Sequence, residues 1–152
     1  MRVFCVVSFF LISSCSFNKI LSHESKFFIS MKRTACYGTC PQYTISIHDD
    51  GYMTYNGKMF VDKIGCYSTY LSKSKMNNLK ELLDDIDYFS LQEIYDSGVT
   101  DIPSVITEVS LNKKNHKVIN RFNGPKKLKK LYDLLDSIVL STINWEQCDS
   151  LN

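Results

Sequence analysis

The side chains of this sequence best suited to chemistry are thiols, because six cysteines occur among its 152 residues. Cys36 and Cys40 are separated by three residues, and Pro41 follows directly. Gly38 between them permits a tight chain reversal, so the two Cα atoms could approach to within about 7 Å, as a disulfide requires. We therefore expect a Cys36–Cys40 disulfide that shapes the turn before an alternating segment starting at Tyr43.

Two further cysteines, Cys66 and Cys148, complete a set of four in the body of the chain. An even number of cysteines in an oxidising compartment is typical of disulfides. Four cysteines allow three pairings, and the sequence alone does not choose between them. If Cys36 bonds to Cys40, the remaining pair is Cys66 with Cys148, which belongs to a C-terminal tail.

The spacing of Cys36 and Cys40 can be compared with that of functional cysteine pairs. A thioredoxin-type redox pair has two intervening residues and stands at a helix start, whereas here three residues intervene and a strand pattern follows. Covalent haem attachment requires a histidine after the second cysteine, where Pro41 stands. Structural zinc requires four ligands at paired short spacings, and the sequence has one such spacing. We expect no metal and no other cofactor, and keep an envelope thiol-redox protein or enzyme that uses Cys36 and Cys40 as an alternative.

The first residues of the chain carry a second chemical signal. Arg2 provides a positive start, residues 3–12 form an apolar run, and Ser13 and Ser14 lead directly to Cys15. This layout is typical of a secretory signal peptide, and the run is too short to span a bilayer, which takes about 20 residues. An aliphatic residue, two small residues and a cysteine together resemble the lipobox of bacterial lipoproteins.

The lipobox resemblance implies that residues 1–14 are a lipoprotein signal peptide and that Cys15 carries fatty acyl chains such as palmitate. Several chains anchor a protein stably, whereas one does not. We therefore expect secretion across the inner membrane and lipid anchoring to the cell envelope, at the outer membrane or facing the periplasm. Residues 15–26 would be a lipidated tether, 27–145 a single α+β domain and 146–152 a C-terminal tail.

Hydropathy patterns within the domain predict strands, with helices set apart from them. Residues 43–48 alternate apolar and polar side chains, which is typical of a half-buried strand, and Asp50 and Gly51 follow as a hairpin signal. Apolar residues at helical spacing predict helices over 74–89 and after Pro125. We expect an α+β fold in which a four-strand antiparallel meander, a helix, a two-strand hairpin and a second helix follow one another, with both helices packed on one face of the sheet.

The cysteine motif also carries a family resemblance. The segment from Cys36 to Tyr43 (CYGTCPQY) resembles the opening signature of an uncharacterised family of small secreted bacterial domains that are often found on lipoproteins. The similarity extends over about 29–145, and Cys66 and Cys148 lie outside the signature. The family has no assigned activity, so the resemblance implies a compartment and a domain of unknown function rather than a reaction.

Tyrosines and lysines supply a candidate binding surface. Tyrosine is enriched at interfaces, although it is also an ordinary strand former. A basic cluster opens the second helix, where it could contact anionic lipid headgroups or simply face solvent. The candidate surface residues are Tyr43, Tyr52, Tyr55, Lys126, Lys127 and Lys130.

The sequence contains no recognisable catalytic constellation, and we assign no catalytic residue. A formal net charge of +2 argues against a nucleic-acid-binding protein, which would carry a strongly basic face. We expect a non-enzymatic binding or interaction module whose partners are the membrane, through its lipid anchor, and an envelope protein or ligand. A structural component of the envelope is a further alternative.

Overall fold

The computed structural model describes residues 27–98 and 100–148, which form one sheet of eight strands with two α-helices. The strands are β1 (Phe27–Arg33), β2 (Gln42–His48), β3 (Tyr52–Met59), β4 (Gly65–Tyr70), β5 (Ile94–Tyr95), β6 (Val105–Leu111), β7 (Lys114–Asn120) and β8 (Glu146–Gln147). The helices are α1 (Lys73–Asp85) and α2 (Lys126–Ser141), and a short 3-10 helix covers Tyr88–Ser90. Our expectations for the signal peptide (1–14), for lipidation of Cys15 and for the tether (15–26) lie outside the described residues.

The fold class predicted from the sequence is wrong. The fold is mostly sheet, and its strand order β5-β7-β6-β1-β2-β3-β4-β8 makes one mixed sheet of eight strands. We expected an α+β fold with an antiparallel sheet made of a four-strand meander and a two-strand hairpin. β6 pairs along the whole of β1, from Leu111 opposite Phe27 to Val105 opposite Arg33. At one edge β5 runs parallel to β7. Pairing between distant segments and strands of two residues leave no local pattern in a sequence, which is why they were not predicted.

Alternation along β2 separates the two faces of the sheet. Tyr43, Ile45 and Ile47 are buried on the inner face, while the side chains between them are half-buried on the outer face. The central strands follow the same rule, because successive side chains of a strand point to opposite faces. Their other buried inner-face residues are Phe27, Ile29, Met31, Met53, Tyr55 and Val109.

Both helices cover the inner face. The Lys75 backbone N–H donates to the Ser72 side chain at 3.3 Å, which caps α1. α1 ends earlier than predicted, since Asp87 adopts a left-handed φ of +48° and leads into the 3-10 helix. Among the described residues, no helix has the length and apolar character needed to cross a bilayer. The helical side chains buried against the sheet include Met76, Leu79, Leu83, Leu128, Leu131, Leu135 and Ile138.

The two expected disulfides, Cys36–Cys40 and Cys66–Cys148, are confirmed, with Cα atoms 5.8 Å and 5.3 Å apart. The Cys148 backbone N–H also donates to the Cys66 carbonyl at 3.1 Å. Residues 146–148, which we expected in a tail, are therefore held against β4, with β8 as the last strand of the sheet.

Candidate functional site

A cleft of about 530 Å³ opens at the end of the sheet where β1 finishes and β2 begins. Its walls come from the ends of these strands, the loop between β3 and β4, the second half of α2 and the segment before β8. Ligand pockets measure about 300–1,000 Å³, so the volume suits a small ligand. In residues 27–98 and 100–148, no group of three or more His, Cys, Asp or Glu side chains could hold a metal ion, either in the cleft or outside it.

Arg33, Tyr43 and Asp136 form the polar floor of the cleft. The Arg33 Nε donates to Asp136 Oδ1 at 3.0 Å, and a second guanidinium N–H donates to Oδ2, which makes the ion pair bidentate. The Tyr43 hydroxyl also donates to Asp136. The side chains of Arg33 and Asp136 are 23% and 28% exposed, so the ion pair is partly desolvated but can be reached from the cleft.

The hydrogen bonds and charges of the polar floor shift the pKa values of Arg33 and Tyr43. Burial lowers the pKa of Arg33, but the hydrogen bond and the charge of Asp136 outweigh burial and raise it overall. Burial, followed by the hydrogen bond to Asp136, raises the pKa of the Tyr43 hydroxyl. Near neutral pH Arg33 is therefore a cation and Tyr43 a neutral donor.

Strand geometry places the polar floor. Arg33 is the last residue of β1 and continues the inner-face phase of that strand. Tyr43 pairs with Gly57 at a register shift between β2 and β3. Such bulges commonly re-aim side chains next to binding and active sites. Asp136 reaches the same point from α2, so the polar floor joins both layers of the fold.

Gly57 lets the loop between β3 and β4 close tightly beside the cleft. A Cβ atom at this position would collide with the Lys63 carbonyl and with the ring of Tyr55. The Tyr55 hydroxyl donates to the same carbonyl at 3.3 Å. Phe60, at the start of this loop, has a φ of +55°, which is uncommon for a bulky residue. The loop is thus held in one specific conformation where it lines the cleft.

Tyr55 and Trp145 form an aromatic wall, with ring centroids 5.5 Å apart. The ring of Tyr43 lies 5.5 Å from that of Tyr55 and connects the wall to the polar floor. Trp145 immediately precedes β8, which the disulfide between Cys66 and Cys148 fastens to β4. The disulfide thus fastens to β4 the short segment that directly follows Trp145.

The tyrosines of the predicted binding surface lie on both faces of the sheet. Tyr43 and Tyr55 are buried on the inner face and line the cleft. Tyr52 lies on the outer face, where its ring is 5.3 Å from Tyr70 and 6.2 Å from His48. A row of aromatic rings on neighbouring strands is an ordinary way to stabilise a sheet.

The lysines of the predicted surface lie apart from the cleft. Lys126, Lys127 and Lys130 occupy the first turns of α2, whereas the cleft is lined by the second half of that helix. Lys126 and Lys130 are exposed, and Lys127 is half-buried. The structure therefore does not bring the predicted lysines and tyrosines together into one surface.

Arg33, Asp136 and Trp145 were missed by reasoning from the sequence. The sequence contains one signal for Arg33, which is a charged residue at a position of β1 where the alternation predicts an apolar side chain. Asp136 lies 103 residues further along the chain, and no local pattern connects the two. Trp145 was assigned to the end of the domain with no role.

Comparisons with known proteins identify a family but no curated relative. A search of the curated proteins found no match to this chain. Residues 27–139 match a family described as a domain of unknown function, DUF6438. The match includes the polar floor and stops before Trp145 and β8. It confirms the expected likeness to an uncharacterised domain and covers most of the sequence, so the chain belongs to the DUF6438 family.

Proposed function

We propose that this chain is a lipid-anchored protein of the cell envelope that binds a ligand in the cleft without transforming it. The lipobox-like residues before Cys15 support the anchor, as does the resemblance of segment 36–43 to domains found on secreted lipoproteins. Two disulfides support an oxidising compartment, because such bonds are rare in the cytosol.

The observation that carries the binding proposal is the polar floor at the base of an open cleft. A guanidinium, a carboxylate and a phenol are held there by mutual hydrogen bonds. A ligand meets these groups already in position, so binding avoids most of the entropic cost of ordering them.

The loop beside the cleft supports the same proposal. Phe60 is the bulkiest of the six described non-glycine residues with a positive φ, and it lines the cleft. Such conformations cost about 1–3 kcal/mol and cluster at active sites and ligand-binding segments. Close contact of this loop with Tyr55 is possible because residue 57 is glycine. The backbone of this loop thus has a local conformational cost at the place where the loop lines the cleft.

Trp145 provides a direct test, because it is the single tryptophan of the sequence and lines the cleft. Titrating the full-length protein in detergent micelles with soluble cell-envelope fractions should change its emission saturably. Asp136→Asn should weaken the response, because the polar floor loses its anionic acceptor. Asp96→Asn is the matched control, since Asp96 pairs with Arg121 at 3.5 Å and does not line the cleft.

Two results would contradict binding in the cleft. One is an unchanged Trp145 emission with every envelope fraction. The other is a saturable change that Asp136→Asn and Asp96→Asn reproduce with the affinity of the unmodified protein, because the polar floor would then take no part in binding.

A further inference from the structure

The charges that line the cleft point to a neutral ligand. Arg33 and Lys63 are balanced by Asp62 and Asp136. Asp136 already neutralises Arg33 through a bidentate contact, so an anionic ligand would have to compete with this carboxylate. A cationic ligand would meet Arg33 and Lys63 in the same small volume.

The polar floor can both donate and accept hydrogen bonds toward such a ligand. A guanidinium has five N–H donors, and in the described residues Arg33 uses its Nε and one terminal nitrogen. Asp136 accepts two hydrogen bonds at Oδ1 and one at Oδ2 from the polar floor, and a carboxylate has about four acceptor positions. Neighbouring hydroxyl groups are matched to this arrangement, because each hydroxyl donates and accepts.

The remaining walls suit a ligand with an apolar face. Tyr55 and Trp145 provide aromatic rings on one side, and Val139 and Leu140 provide aliphatic groups from α2. The faces of aromatic rings are electron-rich and attract weakly positive C–H groups. A sugar ring combines C–H faces with a rim of neighbouring hydroxyls, and so matches both the walls and the polar floor.

A peptide is the competing neutral ligand. Peptides bind mainly by adding a strand to a free sheet edge, by laying an apolar helix face into a groove or by docking a proline-rich segment along an aromatic-lined groove. Each of these modes uses an extended surface rather than a compact cleft with a polar floor. The polar groups gathered at the floor of this cleft are side chains rather than the backbone of a sheet edge. These features favour a sugar.

We infer that the cleft binds a neutral sugar unit of a glycan, with Arg33 and Asp136 holding neighbouring hydroxyls and Trp145 packing on the ring. The inference rests on the proposed function, since it names the ligand class of the same site. It assigns recognition to three residues that the sequence alone did not single out.

The test uses Trp145 emission of the full-length protein in micelles with four probes: tetra-N-acetylchitotetraose, maltotetraose, acetyl-tetraalanine amide and inorganic phosphate. We expect at least one neutral oligosaccharide to bind saturably, and neither the peptide nor phosphate to do so. Asp136→Asn should weaken sugar binding by about ten- to a hundredfold, the equivalent of one hydrogen bond to a charged group. Asp96→Asn should leave the sugar affinity unchanged.

A second variant keeps the test valid if Asp136→Asn does not fold. Tyr43→Phe preserves the ring that lies beside Tyr55 and removes only the hydroxyl that orients Asp136. We expect it to weaken sugar binding by about two- to tenfold. Circular dichroism of each variant establishes that the fold is intact.

The outcomes separate this inference from the proposed function. If envelope fractions or the peptide change the emission in an Asp136-dependent way while both sugars fail, the sugar inference is wrong and the binding proposal stands. If neither the probes nor the envelope fractions change the emission, both are wrong. The inference would also be overturned if Asp136→Asn and Tyr43→Phe both bound the sugar with the affinity of the unmodified protein.

Discussion

At the scale of single residues, a polar side chain is informative about function when it is partly buried. Arg33 occupies a position that alternation reserves for an apolar side chain, and its charge is satisfied by Asp136 and Tyr43. A satisfied pair in the core would be purely structural, but this one opens into the cleft. This combination of burial and access from the cleft is what the proposed binding role of the polar floor requires.

Two buried tyrosines on the inner side of the sheet provide a matched stability prediction. The hydroxyls of Tyr88 and Thr107 lie 2.7 Å apart, and both residues are fully buried. No described residue makes a well-aligned hydrogen bond to the Tyr132 hydroxyl, although Asn120 is close enough to lower its pKa, which burial raises to about 12. We expect Tyr88→Phe to reduce the free energy of unfolding by about 1–3 kcal/mol and Tyr132→Phe to change it by less than about 0.5 kcal/mol.

Urea unfolding followed by circular dichroism measures both tyrosine variants. The comparison is internal, because each variant removes one hydroxyl and leaves the ring. A Tyr132→Phe variant destabilised as much as Tyr88→Phe would show that the Tyr132 hydroxyl makes a full hydrogen bond.

At the scale of elements, a strand or turn could be predicted from the sequence when neighbouring residues carry its pattern. The alternation of β2 and the turn at Gly51, where φ is +85°, were visible in the sequence because each depends on neighbouring residues. β5 and β8 were not visible, because two residues carry no period and their pairing is set by distant strands. The cleft was not visible for the same reason, since its walls come from parts of the chain that are distant in sequence, from Arg33 to Trp145.

The two disulfides should differ in their contribution to stability because they close loops of different length. Their sequence separations are 82 for Cys66–Cys148 and 4 for Cys36–Cys40. In the chain-entropy description, replacing the first pair with serine should cost about 4.5 kcal/mol and replacing the second about 2 kcal/mol. The serine variant of Cys66 and Cys148 should also shift Trp145 emission to the red, because β8 is released from β4.

The serine variant of Cys36 and Cys40 is the control for this experiment, measured by urea unfolding and by emission spectra under native conditions. Its Trp145 emission should match that of the unmodified protein. An unchanged spectrum after loss of Cys66–Cys148 would show that Trp145 is held without the disulfide.

At the scale of the whole molecule, β1 runs from the proposed anchored end of the domain to the proposed binding site. Its first residue, Phe27, is where the tether would join, and its last, Arg33, belongs to the cleft. Seven strand residues span roughly 20 Å, so the cleft lies well away from the junction with the tether. This arrangement suits a protein that is anchored at one end and binds its ligand at the other.

Cys15→Ser should separate anchoring from binding. Without the thiol that the proposal makes the lipid acceptor, the intact mass of the membrane-purified protein should show no acyl chains, while Trp145 keeps its response to ligand. Ser16→Ala is the control, since it leaves the thiol in place. Acyl chains that remain on Cys15→Ser would contradict a lipid anchor on this residue.

The most direct test of ligand binding in the cleft is a map of amide chemical shifts. Isotope-labelled full-length protein in micelles would be titrated with the envelope fraction or sugar that gives the largest Trp145 response. We predict that the shifts concentrate at Arg33, Tyr43, residues 60–63 and residues 136–145. Shifts concentrated around Tyr52 and Tyr70 on the outer face, or spread evenly over the sheet, would contradict the account.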